Sequence, residues 1–289
     1  MKINRTLLPY ILIAPLFILL VLLTFYPLLL TIFNSLQSLN LGRPDDIRFV
    51  GLANYIGLMT DPAVLNAMRN SVQYFMLSVS MEILGGIVIA LGLRNKFRGR
   101  AIILGIVILP WALPPVVNSI VWKWIYDPSY GLLNDVLIKL GMIDHFHVWL
   151  GDPHFSLVWV ALVHIWKMMP LISIIMLAQL QTIPAELYEA ARIDGANSLQ
   201  SFRHITLPLL KPALIIALTL GTVSAFHLFD EVYVLTGTSL DTRSIMVQDY
   251  LIAFRELKYS MGMALSLIIT IVILALTWFY NQLGKEARV

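Results

Sequence analysis

Residues 189–212 read EAARIDGANSLQSFRHITLPLLKP and lie between two strongly hydrophobic runs of the chain. Gly195 suits the left-handed backbone position that ends many helices. Asn197 and Gln200 have the spacing of a capping pair that starts a second helix, and Pro184 fits the first turn of the helix before Gly195. The stretch therefore predicts two short helices joined by a tight turn, a shape suited to docking another protein rather than to catalysis.

The composition of the chain is that of an integral membrane protein. Its 289 residues are 58% hydrophobic and only 13% charged, with a mean hydropathy of +0.80, whereas soluble domains carry about 25% charged residues. The chain has no cysteine, which excludes disulfides and thiol chemistry. The net charge of +3 comes from short basic blocks beside hydrophobic runs, a pattern that sets membrane orientation and does not indicate nucleic-acid binding.

Six predominantly apolar runs are each long enough to cross a bilayer, which takes about 20 residues. The first run follows Lys2 and Arg5, but it is too long for a signal-peptide core of about 7–15 residues, and no small-residue cleavage site follows it. Pro110, Pro114 and Pro115 interrupt the third run and predict a broken helix beside protein or a cavity. The sequence thus predicts an all-α integral membrane protein with six transmembrane helices, at residues 7–32, 71–93, 101–121, 155–180, 213–235 and 261–280.

The basic residues predict the orientation. Four of them crowd into residues 94–100, and short loops rich in Lys and Arg face the cytoplasm. Both termini and the 181–212 loop then also lie inside, and we divide the chain into residues 1–69, an N-terminal transmembrane helix with an external loop, and residues 70–289, a five-helix core. Eleven of the twenty Lys and Arg residues fall inside: Lys2, Arg5, Arg94, Lys96, Arg98, Arg100, Arg192, Arg203, Lys211, Lys285 and Arg288.

Several polar or aromatic side chains fall near the membrane midplane when depth is counted at about 1.5 Å per residue. Ionisable groups at this depth are costly and normally face a cavity or a partner. Lys167 needs a partner such as Glu82, Asp230 or a substrate oxygen. One alternative is that Trp111 is a core or lipid-facing aromatic residue. Others are that His164 and His227 bond neighbouring carbonyls, and that Asp230 and Glu231 pair with a companion subunit. The midplane set is Trp111, His164, Lys167, Ser224 and His227, with Asp230 and Glu231 nearer the outer face.

The 181–212 loop resembles the EAA loop of permease subunits of ABC importers. In that family the loop is a coupling helix that sits in a cleft of the ATPase subunit, so the resemblance implies the type I ABC-importer permease fold. ATPase coupling is implied above all for Glu189, Ala190, Ala191, Asp194, Gly195 and Ala196. The full set of matching positions adds Phe202, Ile205, Leu207, Pro208 and Pro212.

Three further motifs are similar to those of sugar-importer permeases of the maltose type. They are the motif around Trp111, the WKMMP stretch at 166–170 and the FHLFD run at 226–230, and the first span and the WKWIYDP stretch at 122–128 extend the resemblance over essentially the whole chain. Asp230, the last residue of the third motif, is also a candidate substrate contact. By position, the resemblance implies sugar contacts at Trp111, His164, Lys167, Met168, Ser224, His227 and Leu228.

The implied function is a permease subunit, not an enzyme, that moves a mono- or oligosaccharide across the plasma membrane by alternating access. The implied partners are a homologous second permease, two ABC ATPase subunits, an external substrate-binding protein and membrane lipid. The chain itself has no P-loop, HExxH or GxSxG motif, so we expect it to hold no cofactor and the ATPases to bind ATP and Mg²⁺.

Three other interpretations of the residues are weighed against this one. Lys167 leaves open the import of glycerol phosphate or another small polar solute. An autonomous secondary transporter would show an inverted repeat, which the sequence lacks. His145 and His147 lie in an external loop without the spacing of metal ligands, so we predict no metal site.

Overall fold

The computed structural model describes residues 8–42, 45 and 47–285. Within these residues the regular structure is helical, apart from one isolated antiparallel bridge between Gln37 and Phe49. The prediction of an all-α protein is confirmed. Lys2, Arg5 and Arg288, three of the residues that predict the orientation, lie outside the described residues.

The helices follow the predicted hydrophobic runs and the short connecting segments. Single π-helical turns occupy Val21–Phe25, Phe202–Thr206 and Leu251–Arg255. In chain order the α-helices are α1 (Leu8–Leu20), α2 (Tyr26–Ser35), α3 (Ala53–Thr60), α4 (Pro62–Gly92), α5 (Arg100–Ala112), α6 (Pro115–Ile125), α7 (Leu132–Lys139), α8 (Ser156–Gln181), α9 (Ala185–Ile193), α10 (Ser198–Ser201), α11 (Leu207–Leu209), α12 (Lys211–Phe226), α13 (Asp230–Thr236), α14 (Ile245–Tyr250) and α15 (Tyr259–Lys285).

Four helical segments among the described residues are long and apolar enough to cross a membrane unaided. Two bent pairs also qualify if each pair crosses as one span: α5 with α6, bent by 97°, and Ser198–Leu209 with α12, bent by 66°. The count of six spans therefore depends on these two pairs and stays a prediction. The four unaided segments are Leu12–Ser35, Pro62–Gly92, Ser156–Gln181 and Tyr259–Gly284.

The chain divides into two compact units. One contains the described residues up to Asp61 together with Asp249–Thr270. Within it, Ser260 and Leu39 exchange two hydrogen bonds, of 2.9 Å and 3.1 Å. The other contains Pro62–Gln248 and the described residues from Ile271 onward, and it carries both the predicted midplane residues and the 181–212 loop.

In the larger unit, α8 is the central helix. It packs along α4 and also contacts α5, α6, α12 and α13. Gly86 of α4 permits the close approach of α4 and α8, because a Cβ at this position would stand 2.8 Å from Ile172 Cγ2. Gly221 plays the same part between α12 and α4, with 3.1 Å to Val79 Cγ2. The helices α4, α8 and α12 pack closely at these glycines and form the core of the larger unit.

The predicted break in the third span is present and lies between Ala112 and Pro115. Leu113 and Pro114 both have extended backbone conformations, with ψ of 136° and 139°. A residue that precedes proline is pushed out of the helical region by the proline ring, so two consecutive prolines enforce two extended residues. Pro110 by contrast lies inside α5. The break turns the chain sharply near the depth of Trp111.

Two predicted element boundaries are wrong. The helix that contains the second predicted span begins at Pro62 rather than at residue 71, and Asp61 separates it from α3. The fifth run, 213–235, is two helices rather than one: α12 ends at Phe226 and α13 begins at Asp230. The backbone carbonyl of Leu228, in the break, accepts a hydrogen bond from the Ser244 hydroxyl, and acidic residues favour the first turn of the new helix.

Candidate functional site

The 181–212 loop folds as two short helices around a glycine turn, as predicted. Gly195 has φ of +80°. The N–H groups of Gly195 and Ala196 donate hydrogen bonds to the carbonyls of Arg192 and Ala191, respectively, and these bonds end α9. Asn197 and Gln200 form the predicted capping box: each side chain accepts from the backbone N–H of the other, at 2.9 Å and 2.8 Å. Pro184 precedes α9 as its N-cap.

One side of this loop is fixed to the end of the helical core. Phe202, Ile205 and Tyr188 pack against a buried cluster from α4, α8 and α12 that includes Met176. The Tyr188 hydroxyl lies 2.9 Å from Thr206 Oγ1, and the Arg94 guanidinium stands 4.0 Å above the Tyr188 ring. The loop is thus packed against the ends of α4, α8 and α12.

The other side of the loop is open and partly apolar. Ile193 is 87% exposed and Leu199 is 74% exposed, while Glu189 and Ala190 are also exposed. Exposed apolar side chains bordered by charged groups leave a surface that is available to another protein. The small alanine side chain lets a partner come close to the α9 backbone.

The midplane residues converge only in part, on a buried group centred on His164. Its Nδ1 lies 3.2 Å from Glu231 Oε1 and its Nε2 lies 3.2 Å from Ser224 Oγ. A neutral histidine satisfies both contacts if Nδ1–H donates to the carboxylate and Nε2 accepts from the serine hydroxyl. His164 is 4% exposed and Glu231 is also 4% exposed. This group ties α8 to α12 and α13.

Glu82 of α4 completes the group, although the sequence predicts it only as a possible partner of Lys167. Its Oε1 lies 3.8 Å from His164 Nε2, it is 1% exposed, and neither of its carboxyl oxygens has a hydrogen-bond partner among the described residues. Gly221 leaves the room for it, since a Cβ there would stand 3.3 Å from Glu82 Oε2. A single glutamate within an apolar run was the signal that could have indicated it.

The two expected ion pairings differ in outcome. Glu231 bonds His164 within the chain, and its alternative pairing with a companion subunit stays a prediction. Lys167 has neither Glu82 nor Asp230 within 4.0 Å, and no carboxylate lies that close to its Nζ in the part of the chain that the structure describes. Lys167 is half-buried.

The other candidate substrate residues differ in accessibility. Trp111 is 42% exposed at the end of α5, and His227 is exposed directly after α12, with its Nδ1 2.8 Å from the Val223 carbonyl. Asp230 is half-buried in the first turn of α13. Met168 and Leu228 are 8% and 1% exposed, so their side chains belong to the packed core.

The chain is similar to known permeases over its full length. It is 35% identical to the trehalose/maltose transport system permease protein MalF of Thermococcus litoralis, over 100% of this chain and 97% of that protein. It is 33% identical to the sulfoquinovosyl glycerol transport system permease protein SmoG of Agrobacterium fabrum, over 96% of this chain and 90% of that protein.

The fold also matches a solved structure, that of a bacterial alginate ABC transporter in complex with an alginate pentasaccharide-bound periplasmic protein. The TM-score is 0.82 at 22% identity, over 98% of this chain and 95% of the matched one. This likeness confirms the type I ABC-importer permease fold. Residues 82–289 match the family described as binding-protein-dependent transport system inner membrane component, so the chain belongs to that family and is a multi-pass protein of the plasma membrane.

Proposed function

We propose that the chain is one permease subunit of an ATP-driven importer that takes up a carbohydrate delivered by an external binding protein. The full-length similarity to a trehalose/maltose permease carries this proposal. The relative named for sulfoquinovosyl glycerol and the structural likeness to an alginate transporter support the same substrate class. Because these proteins are named for different solutes, the proposal is for a carbohydrate as a class.

The proposed sugar site lies at the depth of the break between α5 and α6. Trp111 offers an exposed indole face for the C–H face of a sugar ring. Lys167 offers an ammonium that no carboxylate holds within 4.0 Å among the described residues, and His227 offers an exposed ring nitrogen. His164 and Ser224 already bond each other, so we assign them to the wall that holds the site in shape. Met168, Leu228 and Asp230 complete the proposed wall.

In the proposed mechanism, two ATPase subunits drive the transport and the chain converts their movement into alternating access. The exposed face of α9, with Glu189, Ala190 and the turn at Gly195, docks on one ATPase. Because Phe202 and Ile205 anchor this loop to the ends of α4, α8 and α12, its displacement tilts those helices and opens the midplane site to one side at a time. ATP and Mg²⁺ belong to the ATPases in this scheme, and this chain holds no cofactor.

The proposal includes the assembly and topology that the sequence predicts. A homologous second permease completes the pore, since this chain contributes one set of spans. Six spans, cytoplasmic termini and the division into residues 1–69 and 70–289 belong to the same proposal. The clustering of basic residues at 94–100, near Tyr188 of the loop, supports placing the loop inside.

Co-purification tests the proposed ATPase coupling. When the chain is expressed with its partners and isolated from membranes, we expect an ATPase subunit to co-purify with it. Glu189→Arg, on the exposed face of α9, and Gly195→Pro, in the turn, are expected to remove the ATPase while the chain remains in the membrane. Glu256→Arg is the control, because it reverses a 44%-exposed carboxylate in the segment predicted to lie outside.

Two results would contradict this assignment. Retention of the ATPase by both loop variants would show that the loop is not the docking surface. Solute transport by the chain alone, without nucleotide, would favour the secondary transporter instead.

A further inference from the structure

Two adjoining recesses lie where α5 begins and α8 ends. The basic mouth has a volume of about 370 Å³ and is lined by Arg94, Asn95, Lys96, Arg100 and Gln181, with two apolar residues behind them. The apolar groove has a volume of about 430 Å³ and shares Arg100 and Gln181 with the basic mouth. Its other lining residues are Leu104, Gly105, Ile108, Ile174, Leu177 and Ala178.

The basic mouth carries three cations and no acidic side chain in its lining. Arg100 is held in place by a hydrogen bond of 2.7 Å from its Nε to the Leu93 carbonyl, and Arg94 is held over the Tyr188 ring. Within the described ranges, no carboxylate lies within 4.0 Å of Arg94, Lys96 or Arg100. Fixed guanidinium groups without a counter-charge form a site for an anion, and the planar fork of arginine suits phosphate.

The apolar groove leads from this mouth along the two helices. Arg100, Leu104 and Ile108 lie on one face of α5, and Gln181 and Leu177 lie on the facing side of α8. Eight residues of helix give the groove a length of about 12 Å. Gly105 and Ala178 place no long side chain in the groove, and a Cβ at Gly105 would meet no heavy atom of the described residues within 4 Å.

The two recesses together have the shape and polarity of an amphiphile. A soluble anion would use the basic mouth alone, whereas a phospholipid places a charged phosphate beside a hydrocarbon chain. The positive-inside rule predicts that this end of α5 and α8 lies at the cytoplasmic leaflet, and basic pockets between transmembrane helices on that side bind anionic lipid headgroups. We propose that an anionic phospholipid binds here, with its phosphate in the basic mouth and one acyl chain in the apolar groove.

Native mass spectrometry of the complete transporter tests the site. The protein, isolated with its partner subunits, is mixed with phosphatidylglycerol and phosphatidylcholine that carry identical acyl chains. We expect phosphatidylglycerol to be retained preferentially. The double variant K96Q/R100Q is expected to weaken its binding about 30-fold, because each cation near the surface contributes about fivefold.

A second double variant is the matched control for charge. R98Q/K211Q removes the same number of positive charges from the same predicted side, but neither residue lines the basic mouth or the apolar groove. We expect it to bind phosphatidylglycerol like the wild type. An equal loss in the two double variants would show general attraction to the surface and would overturn the proposal.

Filling the groove separates a lipid from a soluble anion. Gly105→Leu places a side chain in the groove at an exposed helical position, where leucine favours helix over glycine, and thermal unfolding confirms that the variant is folded. We expect it to lose phosphatidylglycerol. Unchanged lipid binding by this variant would overturn the acyl-chain assignment, as would displacement of phosphatidylglycerol by an equal concentration of glycerol 3-phosphate.

Discussion

His164 shows how a polar residue is accommodated in the middle of the spans. An unpaired polar group in an apolar medium costs several kcal/mol, and His164 avoids this cost because Glu231 and Ser224 occupy its two ring nitrogens at 3.2 Å each. Glu82 Oε1 lies 3.8 Å from His164 Nε2, and neither carboxyl oxygen of Glu82 has a hydrogen-bond partner among the described residues. The two carboxylates around one histidine therefore contribute differently to stability.

Substituting each glutamate by methionine separates the two contributions. Glu231→Met leaves His164 Nδ1 without its partner, and we expect the free energy of unfolding to fall by about 1–3 kcal/mol. Glu82→Met removes a buried carboxyl group that has no hydrogen-bond partner among the described residues, and it keeps the volume of the side chain. We therefore expect stability equal to that of the wild type or higher. Thermal unfolding of the purified proteins measures both. A loss for Glu82→Met as large as that for Glu231→Met would show that Glu82 has a bonding partner in the folded protein.

At the scale of single residues, local patterns were predictable and distant partners were not. The capping box of Asn197 and Gln200 depends on a spacing of three residues, which the sequence displays. The pairing of His164 with Glu231 joins residues 67 positions apart, and only the folded arrangement of α8 and α13 brings them together. For the same reason, the sequence predicts Glu82 or Asp230 as a partner of Lys167, but neither carboxylate lies within 4.0 Å of the Lys167 ammonium.

Helix packing in the larger unit depends on glycines at the crossing points. Gly86 lies where α4 meets α8: a Cβ there would stand 2.8 Å from Ile172 Cγ2 and 3.3 Å from the backbone nitrogen of Ser173. Backbone cannot move aside as a flexible side chain does, so the two helices would have to separate. At Gly92, at the end of the same helix, a Cβ would meet no heavy atom of the described residues within 4 Å.

We therefore expect Gly86→Ala and Gly92→Ala to have opposite effects. Gly86→Ala should lower the free energy of unfolding by about 1–3 kcal/mol through overpacking. Gly92→Ala should leave it unchanged or raise it by about 1 kcal/mol, because alanine favours helix over glycine. Thermal unfolding of the two variants in the same detergent provides the comparison. A Gly86→Ala protein as stable as the wild type would mean that α4 and α8 are farther apart than described.

At the scale of elements, breaks caused by local chemistry were predictable and breaks caused by distant contacts were not. Pro114 and Pro115 alone predict the bend between α5 and α6 from the sequence. The break between α12 and α13 has no proline or glycine, and Leu228 within it is fixed by the Ser244 hydroxyl from a later segment. The hydrophobicity of residues 213–235 therefore predicts one continuous helix, which the structure does not contain.

At the scale of the whole molecule, the larger unit carries two proposed sites. One is the coupling loop at the predicted cytoplasmic end of the helical core, and the other is the midplane site at the bend of the third span. The anchoring of Phe202 and Ile205 in the core beside α4 and α8 is the physical link between them. Trp111 provides a probe of the midplane site that is independent of the loop. It is 42% exposed, so Trp111→Ala removes the proposed sugar-stacking face without creating a core cavity.

The most direct test is uptake of labelled sugars, beginning with trehalose and maltose, into proteoliposomes that contain the chain with its partner permease and ATPases. We expect uptake only with ATP on the ATPase side and with the binding protein on the opposite side, and we expect Trp111→Ala to reduce it while the complex stays assembled. Uptake that proceeds without ATP, or that the chain performs without an ATPase, would contradict the central claim that this permease is driven through its coupling loop.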